Sequence, residues 1–96
     1  MKVVVDKNTV FVKWFHNTTD EKFEINQNYW VVPKSTLCQL IFDDGVIFSS
    51  GKSYCCPTDN FNKSKGRIVS LTKAIKHLPK DVRKLFWSQY KLEIGF

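Results

Sequence analysis

The sequence predicts an α+β domain, in which an antiparallel β-sheet of five or six short strands is followed by two C-terminal α-helices packed on it. Up to residue 56 the chain is rich in Val, Ile, Phe, Tyr, Trp and Thr, interrupted by turn clusters, as is typical of short strands. After Pro57 the apolar residues recur at helical spacing. A chain of 96 residues can bury one modest core, so we expect a single domain over 1–96, with its sheet in 1–57 and its helices in 58–96.

Turn residues divide the first half into candidate strands. Asp6-Lys7-Asn8 and Asp43-Asp44-Gly45 predict hairpins, and 16–21, 26–28 and 50–51 are also expected to be turns. Pro33 should end a strand. Five or six strands are expected among the stretches 3–5, 9–15, 22–25, 29–32, 37–42, 46–49 and 53–56.

The stretch 9–15 has apolar residues on both of its faces. Val10, Val12 and Trp14 alternate with Phe11, Lys13 and Phe15. Such a strand is either covered on both sides or lies in an oligomer contact.

Two amphipathic helices are predicted in the second half. The first, over about 62–77, would bury the stripe Phe61, Ile68, Leu71, Ile75 and Leu78. Thr58 or Asp59 is expected to cap it. The second follows Pro79, has Asp81 near its positive N-terminus, and would bury Val82, Leu85, Phe86 and Tyr90.

Charge and composition limit the classes of function. Lys and Arg outnumber Asp and Glu by 15 to 9, giving a net charge of +6 that favours anionic partners such as nucleic acids, nucleotides or an acidic protein. No apolar run approaches the roughly 20 residues of a membrane helix, and the N-terminus does not resemble a signal peptide, so we expect a cytosolic protein without a membrane partner. Cys38, Cys55 and Cys56 are expected to fill the core rather than form a zinc site or disulfides.

Enzymatic signatures are missing from the sequence. It contains no phosphate-binding P-loop, dinucleotide fingerprint, nucleophile elbow or paired histidines at ligand spacing. We therefore predict no catalytic residue, no metal site and no cofactor.

One face of the first helix combines cations with small residues. Three- and four-residue spacing is expected to place seven residues opposite the apolar stripe: Lys63, Gly66, Arg67, Ser70, Lys73, Ala74 and His77. A planar or phosphorylated ligand could approach the backbone at Gly66 and Ala74 while Arg67 and Lys73 meet its charge. The alternative is a solvated helix surface. Asn60 and Phe61 could offer an amide and a stacking ring to a base, although Phe61 also fits the core.

The segment 55–78 resembles a family of small tailed-phage proteins. The shared features are a Cys-x-Pro-x-Asp-x-Phe-x-Lys run, a Gly-Arg pair and a late Trp near Tyr, here Trp87 and Tyr90. The segment 70–75 stands where the family has Ala-Leu-x-Arg-Ala-Leu. Within this group, the order of a sheet followed by two helices is similar to that of the Thoeris anti-defence sponges.

The resemblance implies a function without catalysis. Thoeris sponges bind cyclic ADP-ribose isomers, and some bind the cyclic oligonucleotides of CBASS defence, in a pocket between subunits. The resemblance also implies a homo-oligomer in the host cytoplasm. The residues that match the family's motif are Asn60, Phe61, Gly66 and Arg67, and Lys73 stands in place of the family's second arginine. The ligand and the number of subunits stay open.

Two alternatives come from other classes of protein. A nucleic-acid-binding module would stack bases on sheet aromatics, for which the candidates are Trp14, Tyr29, Trp30, Phe48 and Tyr54. An inhibitor of a host protein would also account for exposed aromatic residues.

Overall fold

The computed structural model describes residues 1–18, 21–55 and 60–95, which form six strands and then two helices. The strands are β1 (Lys2–Val5), β2 (Asn8–Asn17), β3 (Glu21–Ile25), β4 (Asn28–Val32), β5 (Ser35–Phe42) and β6 (Ile47–Tyr54). The helices are α1 (Lys63–Ile75) and α2 (Lys80–Glu93). This order confirms the predicted α+β class. No helix in the described part of the chain is long and apolar enough to cross a membrane.

Four of the strands form one antiparallel sheet in the order β1-β2-β5-β6, and β3 pairs with β4 alone. Two-residue turns connect β1 to β2 and β3 to β4. Their central residues have positive φ angles, 46° and 70° at Asp6 and Lys7, and 50° and 65° at Asn26 and Gln27. Positive φ at both positions defines the type I′ turn, whose twist matches that of paired strands. The turns predicted at these positions and at 43–45 are confirmed, as is the end of β4 before Pro33.

The molecule is elongated because the β3–β4 hairpin extends away from the rest of the fold. Helix α1 packs on β5 and β6, and α2 packs on β1, whereas β3 and β4 pack mainly on each other. The extents along the principal axes are 53 × 29 × 19 Å. The radius of gyration is 15.5 Å, compared with about 12–13 Å for a compact domain of this length.

The core lies between one face of the sheet and the two helices. Its buried apolar residues are Val3, Val10, Val12, Cys38, Leu40, Leu71, Ala74, Ile75, Phe86 and Tyr90. Burial raises the pKa of the Cys38 thiol to about 12, so this cysteine fills space, as predicted, and is not a nucleophile at neutral pH.

The turn predicted at Ser50-Gly51 is wrong, and β6 runs unbroken from Ile47 to Tyr54. Helix α1 crosses β6 at Gly51. A Cβ atom there would overlap the carbonyl oxygen of Ser70 and lie 2.6 Å from the amide nitrogen of Ala74. Glycine is therefore needed for the close approach of two backbones and not for a turn.

Two other boundaries differ from the prediction. Strand β2 continues to Asn17 because His16 and Asn17 pair with Thr36 and Ser35, so these two residues are not part of the turn expected at 16–21. Helix α1 is capped by Asn62, whose side chain accepts a hydrogen bond from the Lys65 amide at 3.1 Å. The expected caps at 58 and 59 lie outside the described residues, as do Cys56 and positions 19 and 20.

Candidate functional site

Positive charge collects at the N-terminal end of α1. Lys63, Lys65 and Arg67 lie within its first five residues, and the first turn contains no acidic residue. The unpaired amides of this turn add the positive end of the helix dipole. This end of the helix therefore favours an anion over a cation.

His16 of β2 lies beside this charge. Its Nδ1 is 2.9 Å from the Thr36 hydroxyl, and its ring meets the Phe61 ring edge to face, with 5.9 Å between the ring centroids. Burial lowers the pKa of His16 from its usual value near 6.5, and the charges of Lys63 and Arg67 lower it further. The imidazole is consequently neutral at pH 7, since both burial and the two cations disfavour its charged form.

Arg67 is half-buried and has an unsatisfied nitrogen. Its Nη2 donates a hydrogen bond to the Ser64 hydroxyl at 3.2 Å. Its Nε is buried without a hydrogen-bond partner among the described residues. A buried donor without an acceptor is costly, and a rotation of the Arg67 side chain that brought Nε to an anion would satisfy it.

A small cavity opens next to this cluster, with a volume of about 80 Å³. Its wall includes Asn60 and Phe61 from the segment before α1, Lys65 and Gly66 from α1, and Tyr54 from β6. His16, Lys63 and Arg67 lie beside the cavity and are not among its lining residues. Ligand pockets usually have volumes of about 300–1,000 Å³. The cavity therefore has room for a phosphate-sized group but not for a whole nucleotide.

The structure brings five of the eight predicted site residues together. Asn60, Phe61 and Gly66 line the cavity, and Lys63 and Arg67 act on His16. The other three lie apart, and a rise of 1.5 Å per residue puts Lys73 about 9 Å along the helix from Arg67. The Lys73 ammonium donates to the Lys52 carbonyl of β6 at 2.9 Å. Exposed His77 follows the end of the helix.

The expected position of the small residues on α1 is wrong. Gly66, Ser70 and Ala74 are buried against the sheet and do not share an exposed face with the cations. A Cβ on Gly66 would overlap the Thr36 hydroxyl, and the Ser70 hydroxyl donates to the Arg67 carbonyl at 3.2 Å. The expected ligand approach to the backbone at Gly66 and Ala74 is thus blocked by β5 and β6 on that side. Small residues lie here because the helix passes so close to the strands.

A second basic groove, not predicted from the sequence, runs between α1 and α2. It has a volume of about 250 Å³ and is lined by Thr72, Ile75, Lys76, Lys80, Arg83, Lys84 and Trp87. The spacing of Lys80, Lys84 and Trp87 on α2 is a helical pattern that could have indicated it. Because these cations lie outside the start of α1, substitutions of them serve as controls for the loss of positive charge.

The aromatic residues suggested for base stacking do not share one surface, since Tyr29 and Trp30 belong to the β3–β4 hairpin and the others to the four-stranded sheet. Trp14 packs edge to face on Tyr90, with 6.0 Å between centroids, and Phe48 stacks on Phe42 at 4.2 Å. Both belong to the side covered by the helices. Tyr29 and Tyr54 are exposed, and the side chain of Trp30 lies outside the described residues.

His16 and Thr36 were missed because they lie far from α1 in the sequence and meet it only through the register of β2 and β5. Comparison of the chain with protein families, curated proteins and solved structures finds no match. The function is therefore inferred from the geometry of the site.

Proposed function

We propose that the protein binds a phosphate-bearing small molecule of the cyclic nucleotide class at the start of α1 and holds it without cleaving it. The observation that supports this most directly is the buried, unpaired Nε of Arg67 beside Lys63 and His16. Guanidinium groups bind phosphate through two parallel hydrogen bonds, which is the contact that this nitrogen lacks.

The surrounding groups fit the same kind of ligand. Lys63, Lys65 and the first amides of α1 offer charge and donors to a phosphate. Phe61 offers an aromatic ring at the cavity wall. Because the cavity holds only a phosphate-sized group, we infer that the rest of the ligand contacts a second copy of the chain, which makes a homo-oligomer part of the proposal.

The resemblance to Thoeris anti-defence proteins extends the proposal to a biological role. In that role the protein is a phage sponge that removes cyclic ADP-ribose isomers or cyclic oligonucleotides from the cytoplasm of an infected host. A sponge needs tight binding and slow release rather than turnover. The site residues proposed above bind the phosphate or contact the rest of the ligand, and none is assigned a chemical step.

The proposal is tested by thermal denaturation of the protein with a panel of cyclic ADP-ribose isomers and cyclic di- and trinucleotides. We expect at least one compound to raise the melting temperature, because a ligand that binds only the folded state stabilises it. Mass spectrometry of the supernatant after heating should recover that compound intact. A panel without any shift contradicts binding, and recovery of a hydrolysed product contradicts sequestration.

Replacing Arg67 with Ala is the sharpest test of the site. Loss of a charge-assisted contact to phosphate, worth about 1.5–3 kcal/mol, should weaken binding by more than tenfold in isothermal titration calorimetry. Stability should change by less than about 1 kcal/mol, because the substitution removes an unpaired nitrogen along with the Ser64 contact.

Lys84→Ala is the matched control, since it removes one positive charge from the groove between the helices. It should leave affinity within about twofold of wild type, because exposed charges further apart than a Debye length of about 8 Å are screened. Equal losses in both variants would mean that net charge, and not the start of α1, determines binding.

A further inference from the structure

The sheet has a second face, opposite the helices, that no described element covers. Val10 and Val12 are buried against the helices. Because side chains alternate along a strand, Phe11, Lys13 and Phe15 lie on the other face. Phe15 is 52% exposed there. We call this surface, formed by the outward residues of β1, β2, β5 and β6, the open face.

The open face is more apolar than the solvated side of an antiparallel sheet usually is. The register places Leu37 opposite Phe15, and Ile41 opposite Phe11. Tyr54, at the end of β6, is 59% exposed. Solvated faces of such sheets are normally polar, and exposed aromatic residues grouped on one of them indicate an interaction site.

Cations lie between the aromatic rings of this face. The Lys2 ammonium is 5.7 Å from the centroid of the Phe11 ring, and the Lys52 ammonium is 5.2 Å from that of Tyr54. Lys13 lies between Phe11 and Phe15 in the sequence of β2. None of the four strands contains an acidic residue. The face therefore carries only positive charge among its rings.

We propose that the open face binds single-stranded nucleic acid. A rise of about 3.3 Å per residue puts the Phe11 and Phe15 side chains about 13 Å apart, with Lys13 midway. Two bases of an extended single strand, separated by another nucleotide, can stack on the two rings while Lys13 meets a phosphate of the backbone that joins them. Stacking on aromatic rings together with a basic track is how sequence-tolerant single-strand binding works.

The charges on this face argue against a second copy of the chain as its occupant. Packing two open faces together would bury Lys13 among apolar side chains, and no strand of the sheet supplies a carboxylate to pair with it. An unpaired buried ammonium is costly. A polyanion with exposed bases satisfies the rings and the lysines together.

The residues that test this face, Phe15 and Lys13, are separate from those that test the site at the start of α1, although Tyr54 also lines the cavity there. Arg67 belongs to α1, which packs on the opposite side of β5 and β6. The two proposals can therefore fail separately, since variants on the open face leave Arg67 and Lys63 unchanged.

The test is fluorescence anisotropy of the intact protein with a labelled oligothymidylate of about eight nucleotides, within the usual site size of such surfaces. Phe15→Leu removes the ring and keeps an apolar side chain, so it should weaken binding at least fivefold, the lower end of the effect of losing one stacked base. Phe15→Tyr keeps the ring and should bind within about twofold of wild type. Arg67→Ala should bind the oligonucleotide as wild type does.

A salt series separates phosphate contacts on the face from general charge. Plots of log affinity against log salt concentration should be steep for wild type, and Lys13→Gln should reduce the slope by about 0.7, the contribution of one phosphate contact on a single strand. Lys84→Gln removes the same charge from the groove between the helices and should leave the slope unchanged.

Several results would overturn the proposal. These are no binding at low salt, equal affinity for a duplex of the same length, wild-type binding by folded Phe15→Leu, and equal slope changes for Lys13→Gln and Lys84→Gln. Sedimentation of the free protein as a dimer that Phe15→Leu dissociates would also overturn it, because the open face would then be an interface between copies.

Discussion

At the scale of single residues, the contact between α1 and the sheet depends on glycine and on residues with small side chains. Gly51 lies under the helix, and Ser70 and Ala74 are the helix residues nearest to it. The Ser49 hydroxyl donates to the Ala74 carbonyl at 2.6 Å, so strand and helix also share a hydrogen bond at this point. Close packing of two backbones leaves no space to relax.

We expect Gly51→Ala to destabilise the protein by about 2 kcal/mol, within the range for overpacked cores. The added methyl group meets backbone atoms of α1, which cannot rotate away as a side chain could. Urea denaturation followed by circular dichroism measures the change. Ser50→Ala, at the exposed neighbouring position, should stay within about 0.5 kcal/mol of wild type. A Gly51→Ala variant as stable as wild type would show that the helix can shift at little cost.

Residues of this kind also explain what the sequence could not predict. A Ser-Gly pair occurs both in turns and in strands that a helix crosses closely, so the local sequence does not distinguish the two. Only the position of α1 shows which of them applies at Gly51. The small residues of α1 were misassigned for the same reason. The prediction correctly buried Leu71 and Ile75, but the closest approach of the helix to the strands is at Gly66, Ser70 and Ala74.

At the scale of elements, turns and periodicity were sufficient to predict most of the fold. Two-residue turns between β-forming stretches and the change of period after Pro57 are local signals, and the strands and helices follow them. The site was predictable only where it is local, as for Lys63 and Arg67 on one helix. His16 and Thr36 join them through strand register, which no short segment of sequence specifies.

The type I′ turn between β1 and β2 allows a test of how turn conformation contributes to stability, because Lys7 has a φ of 70° there. Glycine adopts this conformation without the steric cost that other residues have. The greater entropy of glycine in the unfolded chain offsets part of this gain, so Lys7→Gly should stabilise the protein by about 0.5 kcal/mol. Lys7→Ala loses the same charge and keeps the strain, and it should not stabilise. The midpoint of urea denaturation distinguishes the two, and equal effects would assign the change to charge.

At the scale of the whole molecule, the site at the start of α1 makes stability depend on pH. The folded-state pKa of His16 lies below the value near 6.5 that it has when unfolded, through burial first and then through Lys63 and Arg67. Below pH 6.5 the unfolded state therefore binds more protons, and the free energy of unfolding should fall as pH is lowered towards the folded-state pKa.

Replacing His16 with Gln removes this titration, so the variant should lose part of the decrease in stability between pH 7 and 5, as measured by urea denaturation at each pH. Lys63→Met should reduce the decrease by less, because burial is the larger cause of the shift. A His16→Gln variant with the wild-type pH profile would contradict the assignment.

The β3–β4 hairpin also affects the order in which the strands pair during folding. Strands β2 and β5 are joined by the segment that contains it, and pairing of β3 with β4 brings the two ends of that segment together. The loop that β2 and β5 must close is then much shorter than the sequence between them, and each halving of its length lowers the entropic cost by roughly 0.6 kcal/mol. Pairing can begin at the Asn26-Gln27 turn and extend through β3 and β4 into the main sheet. In that order of events, the hairpin that packs mainly on itself is the first pair of strands to form.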